Sequence, residues 1–166
     1  MARSHAKLIG QHIPSVRLGE MVEGQLRVVR ASDDLGRGRA VIVGMPGAFT
    51  PVCTGKHLPS LIQNADRLRA AGVAHVVCIV TSDPWATDAW SRLADPHRKV
   101  RFLADGNLSL ARALGLTTHE PRLLMGERSE RYMLTTRDGV IDSIRVEERL
   151  NDLSCTDVED FVLEEA

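Results

Sequence analysis

Two stretches of this chain are apolar on both faces: Ala40-Val41-Ile42-Val43-Gly44-Met45 and His75-Val76-Val77-Cys78-Ile79-Val80. Runs of this length, rich in β-branched residues, predict buried strands in a sheet covered by helices. Between them, Leu58, Leu61, Ile62, Ala65 and Leu68 recur at intervals of three and four, which predicts an amphipathic helix stopped by Ala71-Gly72. Pro59 lies inside that pattern and should kink the helix, because it removes a backbone bond to the preceding turn. Asp83-Pro84 predicts the opening of a second helix through Trp90 to Leu93, with Asp83 as its cap. Trp85 and Trp90 share its apolar spacing, as core or interface residues.

A short strand is expected at Val100–Leu103, then a helix from Asn107 to Leu114 ended by Gly115, and a loop from Thr117 to Gly126. Segments Arg131–Thr136 and Val140–Val146 flank Arg137-Asp138-Gly139, whose Asp-Gly pair is a strong hairpin signal. Thr156-x-x-Glu159 reads as a capping box for a last helix that buries Phe161 and Val162. Ahead of the first apolar run, Leu8–Leu18 reads as an extended entry with Pro14 at an edge. Gln25–Val29 reads as a short strand, and Ser32–Arg39 as a charged turn. Strands alternating with helices and closing on a hairpin predict an α/β or α+β sandwich.

The chain has 166 residues, which predicts one domain spanning 1–166 with a core that needs no disulfide or metal staples. A net charge of −1 with scattered basic residues gives no nucleic-acid surface. No apolar run reaches the roughly 20 residues of a membrane span, and Met1–Gly10 is too short and polar for a secretory signal. Three cysteines, with neither a C-x-x-C pair nor zinc spacing, fit a reducing compartment. The cytoplasm is the expectation.

Composition changes less than the residues that follow the first buried strand. Pro46-Gly47 ends that strand, and Thr50-Pro51 reads as a helix entry, with threonine as cap and proline in the first helical position. Cys53 then falls in the first turn, among unpaired N–H groups and at the positive end of the helix dipole. Such a setting lowers a thiol pKa from ~8.5 to roughly 3.5–7.5. Thr50, three residues earlier, is placed to bring its hydroxyl towards the sulfur. The competing reading of Cys53 is a small buried core thiol.

Pro46, Thr50 and Cys53 form a P-x-x-x-T-x-x-C pattern, and the longer match PGAFTPVC followed by HLP resembles the peroxiredoxins of the type II, or atypical 2-Cys, subgroup. The likeness runs from about Gly10 to the C-terminus. It implies a thioredoxin-like fold, a central mixed sheet flanked by helices with strands added at the N-terminus. It also implies a thiolate that reduces hydrogen peroxide and organic hydroperoxides, with no bound cofactor or metal. Thioredoxin, glutaredoxin or glutathione would supply reducing equivalents, and a homodimer would form around the edge near the reactive loop. Where the family has Val-Asn-Asp, this chain has Thr81-Ser82-Asp83.

In this chemistry the Cys53 thiolate attacks a peroxide oxygen, leaving a sulfenic acid, and donors are needed where charge gathers on the departing oxygen. Thr50 and the nearby backbone N–H groups are candidates. A fixed cation is also required, and spacing alone leaves Arg128, Arg131 and Arg137 open; the resemblance selects Arg131. The resemblance also offers two resolving thiols. Cys155 matches the position used by animal-type members, and Cys78 the position used by plant-type members. The apolar setting of Cys78 favours an inert core thiol, and Cys155, ahead of a capping box and expected near the surface, is preferred. His57, four residues beyond Cys53, is expected on the same helix face, as a pocket wall or surface residue rather than the base of a cysteine hydrolase. Phe49 is expected to exclude water or meet a partner. A slowly turning peroxide sensor or binding module would carry the same motif. The peroxidase reading requires a sulfur that peroxide can reach.

Overall fold

The computed structural model describes residues 5–150, 152, 153, 156–159 and 161. Its main sheet has seven strands: β1 (Arg17–Val22), β2 (Gln25–Arg30), β3 (Arg39–Met45), β4 (Val73–Val80), β5 (Arg101–Ala104), β8 (Tyr132–Arg137) and β9 (Val140–Val146). Their order is β2-β1-β5-β4-β3-β8-β9. The two long apolar runs lie side by side as β3 and β4, parallel to each other, and β5 continues the parallel set. β8 runs antiparallel to β3 and hairpins into β9 through Asp138-Gly139, both at positive φ, as the Asp-Gly signal predicts. The mixed sheet and its buried centre agree with the expected fold class.

Alternation along the strands divides the core in two. Val41, Val43 and Met45 of β3, Val76, Cys78 and Val80 of β4, and Met133 of β8 face α2 (Leu58–Ala70) and Trp90 of α3 (Pro84–Ala94). Ala40, Ile42, Val77, Ile79, Tyr132 and Leu134 face the other way, onto α4 (Ser109–Leu114) and the N-terminal segment. Arg131, one residue ahead of β8, has the parity of Met133 and so belongs to the α2 side. Gly44 is required at its place on β3: a Cβ there would lie 2.0 Å from the Tyr132 ring on the facing strand.

Several boundaries depart from the sequence expectations for identifiable reasons. The entry segment contains a 3-10 turn, Ala6–Leu8, before β1. β1 and β2 form a hairpin through Glu23-Gly24 at φ 51° and 77°. The charged turn opens with α1 (Ala31–Asp34). The fourth helix starts at Ser109 rather than Asn107, because the buried Asp105 carboxylate accepts from the N–H groups of Leu110 and Ala111. The loop expected from Thr117 to Gly126 holds β6 (Thr117–His119), which pairs with β7 (Glu127–Ser129) in a separate ribbon.

At the C-terminus Val158, Glu159 and Phe161 are helical, but Asp157 caps them rather than Thr156. The Asp157 carboxylate accepts from Glu159 N–H at 3.0 Å and from the Ser60 hydroxyl at 2.5 Å. Thr156 instead donates its hydroxyl to Glu147 at 2.9 Å. Phe161 and Val158 are buried as part of the α2-side core, whereas Val162 and Cys155 lie outside the described residues.

Candidate active site

The site forms where β3 leaves the sheet. Met45 is the last strand residue; its carbonyl accepts from Thr81 N–H and from the Ser129 hydroxyl. The Pro46 carbonyl then receives a long contact from Arg128 Nη1, 3.5 Å, and the same nitrogen donates to the Thr81 carbonyl at 2.7 Å. Arg128 therefore fixes the strand exit rather than the sulfur. It ties Pro46 to the Thr81-Ser82-Asp83 segment, whose Thr81 hydroxyl also accepts from Ser129 N–H. Gly47 is closely packed, since a Cβ would come to 3.0 Å from the side chains of both Met125 and Thr50.

Thr50 departs from its expected role. Its hydroxyl donates to the Gly47 carbonyl at 2.7 Å, closing the turn before the helix, so its proton is aimed away from the sulfur. Its backbone carbonyl accepts from Thr54 N–H, the bond that opens the helix. Phe49, at φ 61° and half exposed, lies at the mouth of this turn with its ring 6.5 Å from that of Trp90. Trp90 is core and donates to the Thr54 hydroxyl, whereas Trp85 is exposed.

The chain is helical from Pro51, which places Cys53 in the first turn as the sequence predicts. The kink expected from Pro59 takes the form of a π-helical turn, Cys53–His57, in which Leu58 N–H donates to the Cys53 carbonyl five residues back. A proline ring clashes with the carbonyl four residues before it, and widening the turn ahead of Pro59 relieves that clash.

The sulfur is not presented to solvent. Cys53 is 0 % exposed and packs in the α2-side core with Val158 and Phe161. Burial follows from the C-terminal segment, which Ser60 and His57 fasten across the helix. The wall beside the sulfur is nevertheless polar. Arg131, itself 1 % exposed, donates from Nη2 to Cys53 Sγ at 3.3 Å. Its Nε and Nη2 also donate to the Leu150 carbonyl at 3.1 and 2.8 Å, and Nη1 lies 3.0 Å from His57 Nδ1. A cavity of about 450 Å³ opens on the far side of Arg131, lined also by Leu150, Glu147, Glu130 and His119, without reaching Cys53.

Of the three arginines that spacing left open, the structure therefore brings Arg131 to the sulfur. Arg137 stands at the opposite end of β8. The reason is register: Tyr132 faces Gly44, so the preceding residue falls beside the exit of β3 towards Cys53.

His57 was expected as a pocket wall or surface side chain, and it is neither. It is fully buried, between Arg131 and the Thr156 carbonyl, 3.1 Å from Nε2. Burial, reinforced by Arg131, holds its pKa down at about 3. Its ring does not bond the sulfur, which removes the Cys–His pairing a hydrolase needs. Cys78 is a free, buried thiol on the same core face as Cys53. Burial pushes its pKa well up, the neighbouring Cys53 adds to that rise and Arg131 opposes it, so it remains protonated. Among the described residues no cluster of side chains could hold a metal ion, and no helix is long and apolar enough to cross a membrane.

Comparison with known proteins bears on this geometry. A family model described as Redoxin matches residues 8–161. The chain is 36% identical over 145 residues to Peroxiredoxin-2E-2, chloroplastic, of Oryza sativa subsp. japonica, covering 84% of this chain and 64% of that protein's length. It is 31% identical over 140 residues to Peroxiredoxin-2F, mitochondrial, of Arabidopsis thaliana, covering 84% of this chain and 70% of the relative. Among solved structures, reduced Prx3 in complex with H2O2 from Vibrio vulnificus superposes with a TM-score of 0.87 at 28% identity, covering 94% of this chain and 97% of that one.

Proposed function

The chain belongs to the peroxiredoxin family of thiol-dependent peroxidases and has its thioredoxin-like fold, and on that premise we propose that Cys53 is the sulfur attacked by peroxide. The observation that carries this reading is the Arg131 Nη2 to Cys53 Sγ contact of 3.3 Å. A guanidinium that is always charged stands against a sulfur lying in a helix first turn.

In the reaction, the Cys53 thiolate attacks the terminal oxygen of R–O–O–H. The S–O bond forms as the O–O bond breaks, giving Cys–SOH and an alkoxide (hydroxide for hydrogen peroxide) that takes a proton to leave as R–OH. Arg131 offsets the negative charge as it passes from sulfur to the departing oxygen. Pro46 and Thr50 shape the turn that delivers the helix, Thr50 through its bond to Gly47 rather than as a donor to sulfur. Because the sulfur is covered, peroxide entry requires the C-terminal segment or the Gly47–Thr50 turn to give way, and the cavity beside Arg131 is the approach we favour.

We take Cys155 as the resolving thiol, which condenses with the sulfenic acid to a disulfide and releases water. Support comes from its neighbour: Thr156 is bound to His57 on the helix turn that carries Cys53. Cys78, kept protonated by burial, is the weaker nucleophile. Thioredoxin, glutaredoxin or glutathione then reduces the disulfide. The free thiols of Cys53 and Cys78 favour a reducing compartment, and we read it as the cytoplasm. A homodimer meeting near the exposed Phe49 completes the reading.

One equivalent of peroxide with dimedone should place the adduct on Cys53 in a Cys155→Ser, Cys78→Ser variant. Absence of the adduct there defeats the assignment. Peptide mapping of the oxidised wild type should join Cys53 to Cys155; a Cys53–Cys78 pair would reverse that choice. Fractionation of cells and sedimentation of the purified chain check the compartment and the dimer.

A further inference from the structure

Of the six histidines only His57 is buried. Its two ring nitrogens face partners of fixed character. Arg131 Nη1, 3.0 Å from Nδ1, can only donate, so Nδ1 accepts. The Thr156 carbonyl, 3.1 Å from Nε2, can only accept, so Nε2 carries the hydrogen. The ring is a neutral imidazole in one tautomer. The charged groups that face it are Arg131 from the start of β8, Glu147 beyond β9 and Asp157 from the C-terminal segment. A second proton would sit on Nδ1, directly against the guanidinium.

The guanidinium is planar, and its orientation is set by what its edges meet. The Leu150 carbonyl takes Nε and one side of Nη2. That contact alone leaves the plane free to tilt about a single acceptor. His57 supplies a second acceptor on Nη1, and two acceptors on different edges define the plane. Nη2 is then left pointing at Cys53 Sγ.

We propose that His57 is a positioning residue for the peroxide reaction, whose unprotonated Nδ1 holds the Arg131 guanidinium in the plane that reaches Cys53. The proposal rests on Cys53 being the attacking sulfur. It assigns His57 no proton transfer: its job is to accept one hydrogen bond and to stay uncharged. The Nε2 bond to Thr156 serves the C-terminal segment instead, so the two nitrogens have separable roles.

The test follows from that separation. In His57→Asn the side-chain amide oxygen takes the place of Nδ1 and the bond to Thr156 is lost; in His57→Gln the amide takes the place of Nε2 and the acceptor for Arg131 is lost. The readout is the second-order rate constant of the reduced full chain with hydrogen peroxide, measured by stopped-flow fluorescence. His57→Asn should stay within about threefold of wild type, and His57→Gln should fall by about tenfold or more, the size expected when a reacting group is misplaced. In an Arg131→Lys background the two substitutions should become equivalent, because the group they position differently is gone. A larger loss in His57→Asn overturns the proposal, whether or not His57→Gln folds. So does a His57→Gln rate equal to wild type, or a gap between the two that persists in the Arg131→Lys background. Dimedone mapping of a Cys155→Ser variant, in which the sulfenic acid is not consumed by that thiol, separates the outcomes: an adduct on Cys78 would defeat the assignment of Cys53, while an adduct on Cys53 with equal rates in the two variants would defeat only the role of His57.

Discussion

Arg101 and Arg131 are both held by several bonds on the same sheet, and they differ in what holds them. Arg101, at the start of β5, grips Glu20 with two bonds of 2.7 and 2.9 Å and reaches Asp34 at 3.2 Å. Its charge is matched by carboxylates, and it staples β5 to β1 and α1. Arg131 meets a carbonyl, a neutral imidazole and a sulfur. No carboxylate lies within ion-pair distance of it among the described residues. A buried cation with no carboxylate partner among the described residues is costly to a fold; on the reading proposed above, the attacking sulfur completes the pair. On that reading the same residue type serves as scaffold in one region and as a poised charge in the other.

The largest expected effect strikes that contrast directly. Arg131→Lys keeps the charge but gives up the planar fork, and the peroxide rate constant should fall about 10²–10³-fold, as when a preorganised donor is removed from a charge-bearing site. Arg101→Lys should leave the rate unchanged; an equal loss from both would erase the distinction.

A pH titration of stability sharpens the comparison next. The folded pKa of His57 lies at about 3, below the ordinary value of 6.5. Between those values the unfolded chain holds a proton that the folded chain does not. Stability from this group is therefore complete above pH 6.5 and declines as pH falls towards 3, by up to about 1.4 kcal/mol per pH unit. His57→Asn should remove that component, visible as a flatter dependence of the urea midpoint on pH. An unchanged slope would mean the imidazole is not held neutral beside Arg131.

Smaller effects belong to the other region. Arg101→Lys should cost about 1 kcal/mol in urea unfolding, since this pair is bidentate but partly exposed and water screens it. Arg27→Gln, which removes a more exposed bond to Asp34, should cost a few tenths of that, and less again in high salt.

Local signals carried much of this architecture. Two-faced apolar runs became β3 and β4, Asp83 caps α3 by accepting from Ala86 N–H at 2.8 Å, and Asp138-Gly139 turns the last hairpin. Cys53 in a first helical turn and Pro46 at a strand end were legible for the same reason. What escaped depends on distant partners. Thr156 looked like a cap, but Glu147 took its hydroxyl and Ser60 supported Asp157 instead. Nothing near Glu127–Ser129 announces a strand, because its ladder comes from β6. His57 could be placed near Cys53 by spacing, whereas its partnership with Arg131 spans 74 positions and arises only when β8 pairs with β3. The burial of Cys53 was likewise set by a C-terminal segment whose docking no local pattern encodes.

The wide turn at Cys53–His57 solves a problem of phase. In a regular α-helix, with about 100° per residue, Leu58 would point roughly 140° away from Cys53. Closing the backbone over five residues instead widens the turn and narrows that angle, so the sulfur and the row from Leu58 to Leu68 turn towards the same sheet. Excising one residue between Thr54 and His57 would put them out of step: seating the hydrophobic row would swing the thiol off the guanidinium, and seating the thiol would pry the row from its bed.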